Sequence, residues 1–478
     1  MNTIDVDVAV IGAGSAGLTA FRAAKSHGGR VLLIERGPHG TTCARVGCMP
    51  SKLLIAAADA AHAVADAAGF GVHAGPARID GKEVMARVRA ERDRFVGFVL
   101  DGIEQIAESD RITGSARFRG PQQLQIDDHT LINAARIVIA TGSSAVMPPD
   151  LAGLGERVIN NEQLFAWTDL PASVAVLGAG VIGLELGQAL QRLGVRVALF
   201  GRGDKVGPLS DPEVIRSAVA CMASELDLRL NNQRFEARCD GDGVLVRSVG
   251  KDGIERNEQF ALVVSAVGRK PNLAGLHLEH SGLALDEHGV PLFDRDTMQC
   301  GSSTIFIAGD ADDAQPLLHE AVDQGRIAGD NAGGYPVVRP GLRRTAIGVV
   351  FCDPQIAMIG LRFRDLAALR VAIGSVSFAD QGRSRVMRQN RGVLRMYAEL
   401  GSGLFLGAEM VGPRAEHIAH LLAWACQNRM TVSQMLDMPF YHPVIEEGVR
   451  TALRRLQDQI EKNLPDSIVH CGDCTPGM

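Results

Sequence analysis

The sequence predicts an α/β protein with two Rossmann-like dinucleotide-binding domains and a C-terminal α+β domain. The first observation behind this prediction is a glycine-rich motif that occurs twice. The second is that each copy follows a β-branched apolar run and opens a helical stretch, the order of elements that such domains require. The third is a change to shorter strands after about Arg344. With 478 residues, the chain has room for about three domains of roughly 150 residues each.

Composition and charge narrow the class of protein. Hydrophobic residues make up 46% of the chain and charged residues 22%, as in globular domains. The net charge of -6 leaves no extended basic surface, so nucleic acid is not an expected partner. The chain enters a strand at Val6 without a signal peptide, and its apolar runs are interrupted too often for a membrane span. We therefore expect a cytoplasmic enzyme without a membrane partner.

The first glycine motif consists of Gly12, Gly14 and Gly17. Its first glycine permits a tight turn, its second lets the backbone approach a pyrophosphate, and its third allows the helix to pack closely. The N-terminus of that helix offers free N–H groups to the phosphates. Glu35 ends the next strand, where its carboxylate could bind the hydroxyls of an adenosine ribose. The residues expected around this nucleotide also include Ser15, Arg36 and Thr42.

The second motif is equally well formed, with glycines at Gly178, Gly180 and Gly183. No acidic residue ends the strand that follows it, and Arg202 and Lys205 come next in the chain. These two cations could accept the 2′-phosphate of NADP, because a guanidinium matches phosphate oxygens. They could also be two solvated surface residues. The third glycine favours NAD, but on balance we expect NADP(H) rather than NAD(H).

Two closely spaced cysteines, Cys43 and Cys48, follow the first nucleotide-binding unit and precede an alanine-rich helix at 53–65. The second cysteine should lie at a helix N-terminus, where the helix dipole and nearby cations lower the pKa of a thiol. Two buried cysteines or half of a zinc site are the alternatives. Four intervening residues and no adjacent histidine make a poor zinc site. We therefore expect a redox-active pair and no resident metal.

With these features and several shorter motifs, residues 4 to about 460 resemble the class I pyridine-nucleotide:disulfide oxidoreductases. The resemblance is strongest to the dihydrolipoamide dehydrogenase branch, and glutathione and mercuric reductases are relatives. It implies a flavoprotein enzyme with FAD in the first nucleotide unit and NAD(P)H in the second. The cofactor-binding residues that the resemblance adds are Thr141, Gly142, Gly268, Arg269, Gly309 and Asp310.

The resemblance also implies roles for the residues around the cysteines. Cys48 would be the thiolate beside the flavin, and Cys43 would exchange with the substrate. In the family, the lysine after the second cysteine pairs with a glutamate from the second nucleotide helix, close to the flavin. Lys52 and Glu185 occupy those positions in this chain.

A histidine and a glutamate near the C-terminus, His442 and Glu447, match the acid/base pair of the family. In the family this pair acts on the disulfide of the partner subunit in a homodimer. Imidazole can transfer a proton near pH 7, and a carboxylate fixes its tautomer and orientation. A surface histidine before a helix is the plainer interpretation of the same residues. Mercuric reductases lack this histidine, so its presence favours an organic disulfide.

The sequence predicts five segments and leaves the final electron acceptor open. Dihydrolipoamide, oxidised with NAD(P)⁺, is the leading substrate among small-molecule and protein disulfides. Cys471 and Cys474 near the C-terminus could form a relay like that of thioredoxin or mercuric reductases, an inert thiol pair, or half of a shared metal site. The segments are an FAD-binding domain at 1–150, an NAD(P)-binding domain at 151–270, a central region at 271–345 that completes the FAD domain, a dimerisation domain at 346–463 and a flexible tail at 464–478.

Overall fold

The computed structural model describes residues 2–463, so Cys471 and Cys474 lie outside the described residues. Within this range the chain forms two α/β units and a C-terminal α+β unit, which confirms the predicted fold class. The alanine-rich helix predicted at 53–65 is present within a longer helix, Cys48–Asp66.

The helices and strands follow one another in four groups along the chain. Residues 2–145 form β1 (Asn2–Ile11), α1 (Ser15–Lys25), β2 (Val31–Glu35), α2 (Thr42–Val46), α3 (Cys48–Asp66), α4 (Gly81–Glu104), β3 (Arg111–Thr113), β4 (Ala116–Gly120), β5 (Gln123–Ile126), β6 (Thr130–Ile139) and β7 (Ser143–Ala145). Residues 158–271 form β8 (Val158–Ile159), α5 (Asn161–Leu164), β9 (Ser173–Leu177), α6 (Val181–Arg192), β10 (Arg196–Phe200), α7 (Pro212–Ala223), β11 (Asp227–Arg229), β12 (Arg234–Asp240), β13 (Gly243–Val249), β14 (Glu255–Phe260), β15 (Leu262–Ser265) and β16 (Arg269–Pro271). Residues 305–334 form β17 (Ile305–Ile307) and α8 (Leu318–Gly334). Residues 347–461 form β18 (Ile347–Val350), β19 (Gln355–Gly360), β20 (Val371–Ser377), α9 (Gly382–Val386), β21 (Val393–Glu399), β22 (Phe405–Gly412), α10 (Ala415–Gln427), α11 (Val432–Leu436) and α12 (Glu447–Glu461).

The first unit is a seven-stranded sheet in the order β3-β2-β1-β6-β5-β4, with β17 paired to β6. Its strands β3, β2, β1, β6 and β17 are parallel. The inner residues of β2, β1, β6 and β17 are buried on both faces, as in sheets covered by helices on both sides. The late strand β17 brings the chain back to the first sheet after the second unit. Helix α8 then packs along α1, so the first nucleotide-binding helix is enclosed by residues far along the chain.

The second unit repeats the plan with a five-stranded parallel sheet in the order β11-β10-β9-β15-β8, flanked by the antiparallel strands β12, β13 and β14. The antiparallel pair β7 and β16 joins the two units. The C-terminal unit is a five-stranded antiparallel sheet in the order β18-β19-β22-β21-β20. Helices α10 and α12 pack on it and bury its largest apolar cluster.

Residues 42–70 differ from the expectation that every apolar run is interrupted too often to span a membrane. By length and composition alone, the stretch Thr42–Phe70 could cross a membrane, because it is rich in alanine and has few charged residues. A single helix of this kind is weak evidence for a span, since helices of soluble proteins also pass the test. This stretch contains Cys43 and Cys48 near its start and contacts α4 and α6 of the same chain.

Candidate active site

The two cysteines lie on neighbouring helices at the edge of a cavity of about 460 Å³. Cys43 is in α2, and Cys48 is the first residue of α3, which confirms the predicted helix N-terminus. The side-chain hydrogen bond between the two thiols, with a smaller contribution from Lys52, lowers the pKa of Cys48 to about 7. The same hydrogen bond, together with burial, raises the pKa of Cys43. About half of the protein therefore carries a thiolate at pH 7, and that negative charge lies on Cys48 rather than on Cys43.

The backbone before the cysteines adopts a conformation that few side chains tolerate. Thr41 has φ 58° and ψ 148°, an uncommon region for a β-branched residue. Its hydroxyl accepts a hydrogen bond from the N–H of Ala44 at 3.2 Å and so caps α2. The cap holds the short helix that carries Cys43 against the start of α3.

An ion pair joins the cysteine helix to the second nucleotide unit. Lys52 Nζ donates to Glu185 Oε2 at 2.8 Å, and Glu185 is 5% exposed. The other carboxylate oxygen of Glu185 accepts from the backbone N–H of Phe351 at 3.0 Å, and the ring of Phe351 lies 4.4 Å below the Lys52 ammonium. Phe351 could not be predicted from the sequence, because nothing in its local pattern places it near residues so distant in the chain.

The first glycine motif contains two tightly packed glycines and a third that faces open space. A Cβ on Gly12 would lie 2.3 Å from the carbonyl oxygen of Ala140, and a Cβ on Gly17 would lie 1.8 Å from that of Gly12. Around Gly14, in contrast, no atom lies within 4 Å of the Cβ position. The space above Gly14 at the N-terminus of α1 is therefore free for a pyrophosphate.

The polar side chains of this unit offer contacts to a bound nucleotide. Thr141 Oγ1 and His39 Nδ1 are buried and have no hydrogen-bond partner within residues 2–463. His39 also lines a cavity of about 210 Å³ with Glu35. The carboxylate of Glu35 accepts from the N–H of Ala13 at 2.7 Å, which fixes it beside the glycine turn. These features fit a bound FAD.

A series of hydrogen bonds links three polar side chains near the end of strand β17. The hydroxyl of Ser143 donates to Asp310 Oδ2 at 2.7 Å and accepts from Arg269 Nε at 2.8 Å. Gly309 adopts φ +71°, and a Cβ there would lie 2.8 Å from the Ala16 side chain. Ser143 was missed by sequence reasoning, although it follows directly after the predicted Gly142. The structure also brings Ser15, Thr42 and Gly142 to the cavity of the cysteines, and leaves Arg36 exposed beside Glu35.

The second glycine motif has the same geometry as the first. A Cβ on Gly178 would lie 2.3 Å from the carbonyl oxygen of Ala266, and one on Gly183 would lie 1.9 Å from that of Gly178. No atom lies within 4 Å of a Cβ on Gly180. The motif lines a groove of about 900 Å³, to which Arg202, Lys205, Gly268 and Arg269 also contribute.

The C-terminal pair forms at the start of α12, whose first residue is Glu447. His442 Nδ1 lies 2.9 Å from Glu447 Oε1, and Glu447 Oε2 accepts from the N–H of Val444 at 3.1 Å. The hydrogen bond from His442 lowers the pKa of Glu447 and keeps the carboxylate charged. Because Nδ1 is engaged and the His442 side chain is 80% exposed, Nε2 is available to another molecule.

The chain matches two family profiles that together span most of its length. Residues 6–325 match the pyridine nucleotide-disulphide oxidoreductase family, and residues 347–453 match the dimerisation domain of the same family. The chain belongs to the pyridine nucleotide-disulphide oxidoreductases. It is therefore a flavoprotein disulfide oxidoreductase that uses FAD and a pyridine nucleotide, and its dimerisation domain points to a homodimer.

Members of this family from several organisms resemble the chain over nearly its whole length. A dihydrolipoyl dehydrogenase from Haloferax volcanii is 29% identical over 460 residues, covering 93% of this chain and 95% of the relative. A mercuric reductase from Shigella flexneri is 30% identical over 474 residues, covering 95% of this chain and 81% of the relative. The crystal structure of LpdA from Mycobacterium tuberculosis superposes with a TM-score of 0.80 at 27% identity, covering 94% of this chain and 100% of that one.

Proposed function

We propose that the protein is a dihydrolipoyl dehydrogenase, which oxidises dihydrolipoamide at the Cys43 and Cys48 pair and reduces NAD(P)⁺. The observation that carries the proposal is the 2.9 Å contact between His442 and Glu447 in the dimerisation domain. A proton-transferring imidazole is needed to interconvert organic thiols and disulfides near neutral pH. The several relatives named dihydrolipoyl dehydrogenase support the same choice.

In the proposed reaction the two cysteines carry out thiol–disulfide exchange, and the histidine transfers protons. For disulfide reduction, the sulfur of Cys43 attacks one substrate sulfur, the substrate S–S bond breaks, and the departing thiolate takes a proton from His442 of the partner subunit. The thiolate of Cys48 then attacks the sulfur of Cys43, which breaks the bond between Cys43 and the substrate, forms the Cys43–Cys48 disulfide and releases the second substrate sulfur as a thiolate that takes a proton from water. Dihydrolipoamide oxidation is the reverse. Because the pKa of Cys43 is raised, it needs a base to lose its proton, and His442 is the group proposed for this task.

The cofactors complete the electron balance. FAD, when bound, carries the two electrons between the cysteine pair and the nicotinamide. Within the chain, Lys52 and Glu185 hold a fixed charge pair at the boundary of the two nucleotide units, and the second glycine motif holds the pyridine nucleotide. The proposed FAD-binding residues are those of 1–150 and 271–345, the nucleotide is bound by 151–270, and 346–463 forms the subunit interface.

We further propose that NADPH is preferred over NADH. Arg202 and Lys205 both line the nucleotide groove and are exposed, whereas their neighbour Asp204 is not among the lining residues. Two cations can bind a 2′-phosphate, and the missing carboxylate removes a charge that would repel it. The reducing conditions of a cytoplasm, which keep thiols available for exchange, suit this enzyme.

A steady-state panel tests the proposal. NADH and NADPH are each combined with lipoamide, glutathione disulfide and Hg(II), with purified FAD-containing protein. We expect the highest kcat/KM with lipoamide and NADPH. Turnover of glutathione disulfide or Hg(II) at a higher kcat/KM than lipoamide would overturn the substrate assignment, and equal use of both nucleotides would overturn the cofactor preference.

A second candidate function is a relay of electrons from Cys43 to Cys471 and Cys474, favoured by the Cys-x-x-Cys spacing of that pair. Truncation after Asn463, with a Cys471→Ser/Cys474→Ser variant as a full-length control, separates the two functions. If the pair is a relay, both variants lose reduction of the protein disulfide or Hg(II). Unchanged turnover in both variants would eliminate the relay and leave the lipoamide function intact.

A further inference from the structure

A cluster of metal-ligating side chains lies where two single-turn 3₁₀ helices, Ala274–Leu276 and Leu278–His280, meet after strand β16. The ligand atoms of His277, Glu279 and His280 all lie within 4.8 Å of one another. The two turns pack against β4 of the first sheet. None of the three residues is among those lining the cavity of the cysteines, so the cluster is separate from the redox chemistry.

The carboxylate of Glu279 lies close to both imidazoles. Glu279 Oε1 lies 3.2 Å from His277 Nδ1 and 3.8 Å from His280 Nε2. The two rings are nearly parallel, with 7° between their planes and 6.3 Å between their centroids. One nitrogen of each ring therefore lies within 4 Å of the same carboxylate oxygen, and the three groups share a small volume.

The local backbone produces this grouping. His277 is the residue between the two turns, and it has φ 54° and ψ 53°, a left-handed conformation. This conformation ends the first turn and lets the second begin at once with Leu278. Glu279 and His280 follow in that second turn, so all three ligands come from four consecutive residues.

We propose that His277, Glu279 and His280 bind a divalent transition-metal ion such as Zn²⁺. Imidazole nitrogen and carboxylate oxygen are ligands that Zn²⁺ accepts, and two histidines with one glutamate form a known zinc ligand set. The side chains are about half exposed, so one or more coordination positions stay open to water or to an external ligand. The ion would bridge the two turns and fix the segment that packs on β4.

The test measures Zn²⁺ binding to untagged, FAD-containing protein in which the Cys43–Cys48 disulfide is formed and the remaining accessible thiols are alkylated. A His277→Gln/His280→Gln variant is compared with wild type by calorimetric titration. A His129→Gln/His288→Gln variant is the matched control, since those two histidines are also exposed and also lie beside acidic residues. A Glu279→Gln variant is a second, less disruptive test of the same site.

We expect wild type and the control variant to bind one more Zn²⁺ per chain than the His277→Gln/His280→Gln variant, and Glu279→Gln to bind at least tenfold more weakly. Co²⁺ in place of Zn²⁺ should give a spectrum of nitrogen and oxygen ligands without a thiolate charge-transfer band. Equal Zn²⁺ binding in wild type and the His277→Gln/His280→Gln variant would overturn the proposal. Equal thermal midpoints of all variants in chelator show that the comparison is between folded proteins.

Discussion

The ammonium of Lys52 lies 2.8 Å from the carboxylate of Glu185, although 133 residues separate them in the chain. Lys52 is one turn into the helix that begins at Cys48, and Glu185 is in the second nucleotide helix. The pair therefore couples the redox cysteines to the nucleotide unit through one ionic contact. Its two charges act in opposite directions on Cys48, since Lys52 lowers the thiol pKa and Glu185 raises it.

We predict that the thiolate of Cys48 titrates with a pKa of about 7 in the reduced enzyme. Because this pKa lies below the usual 9.0, the thiolate is present above pH 7 and is lost as the pH falls through 7. The measurement is a pH titration of the thiolate-to-flavin charge-transfer absorbance. Lys52→Met should raise the pKa, and a rise of one would reduce the thiolate at pH 7 from about half to about a tenth.

The control for this prediction is Lys25→Met, which removes an exposed lysine paired with Asp110 on another part of the same unit. Its titration should match that of wild type. FAD content is measured for each variant, so that loss of flavin is not mistaken for loss of thiolate. A Lys52→Met enzyme whose midpoint stays at pH 7 would contradict the contribution of Lys52.

We predict that His442→Gln lowers lipoamide turnover by about 10²- to 10⁴-fold, the usual contribution of a positioned acid/base group. Reduction of artificial electron acceptors that need no thiol exchange should survive. Glu447→Gln should lower lipoamide turnover less, because the imidazole remains but loses the carboxylate that orients it. Equal losses with lipoamide and with artificial acceptors would instead indicate a folding or dimerisation defect.

We predict that two alanine substitutions in the first glycine motif have different consequences. Gly14 has φ -77° and no atom within 4 Å of its Cβ position, so Gly14→Ala should fold normally but bind FAD at least tenfold more weakly, about 1.4 kcal/mol. In Gly17→Ala the new Cβ would lie 1.8 Å from the Gly12 carbonyl oxygen, so the turn itself must distort. Flavin titration of the apoprotein and circular dichroism distinguish the two effects. Full FAD affinity in Gly14→Ala would refute the assignment of this open space to the pyrophosphate.

We predict that Arg192 stabilises the arrangement of all three units. Its guanidinium contacts Asp59 at 3.0 Å, Glu225 at 2.6 Å and Asp353 at 2.8 Å, and its side chain is 4% exposed. Arg192→Met leaves these carboxylates without their cation and should cost about 3 kcal/mol. The thermal midpoint of the FAD-containing protein, at fixed concentration, is the measurement.

The matched control for Arg192 is Arg94→Met, since Arg94 is 67% exposed and makes one weak ion pair with Glu91. We expect its thermal midpoint to stay close to that of wild type, as for most surface substitutions. If the midpoints of Arg192→Met and Arg94→Met coincide, the buried ion cluster contributes no net stability.

The fold class and much of the site could be predicted from the sequence because their signals are local. The glycine motifs need only their spacing and the flanking strand and helix, and Cys48 needs only the helix that follows it. The contact of His442 with Glu447 is also local, since five residues separate them. The expectation that every apolar run is too interrupted for a membrane span did not anticipate residues 42–70, which are long and apolar enough by length and composition alone.

Other features depended on the tertiary structure. Ser143 meets Asp310 only because β17 returns to the first sheet, and Phe351 meets Lys52 only because the C-terminal unit packs against α6. The preference for negative charge on Cys48 rather than Cys43 depends on the two thiols lying side by side on neighbouring helices. The sequence by itself determined which chemical groups the protein has and the elements that carry them. Their pairing over long separations was decided by packing, because non-local contacts leave no periodic trace in the chain.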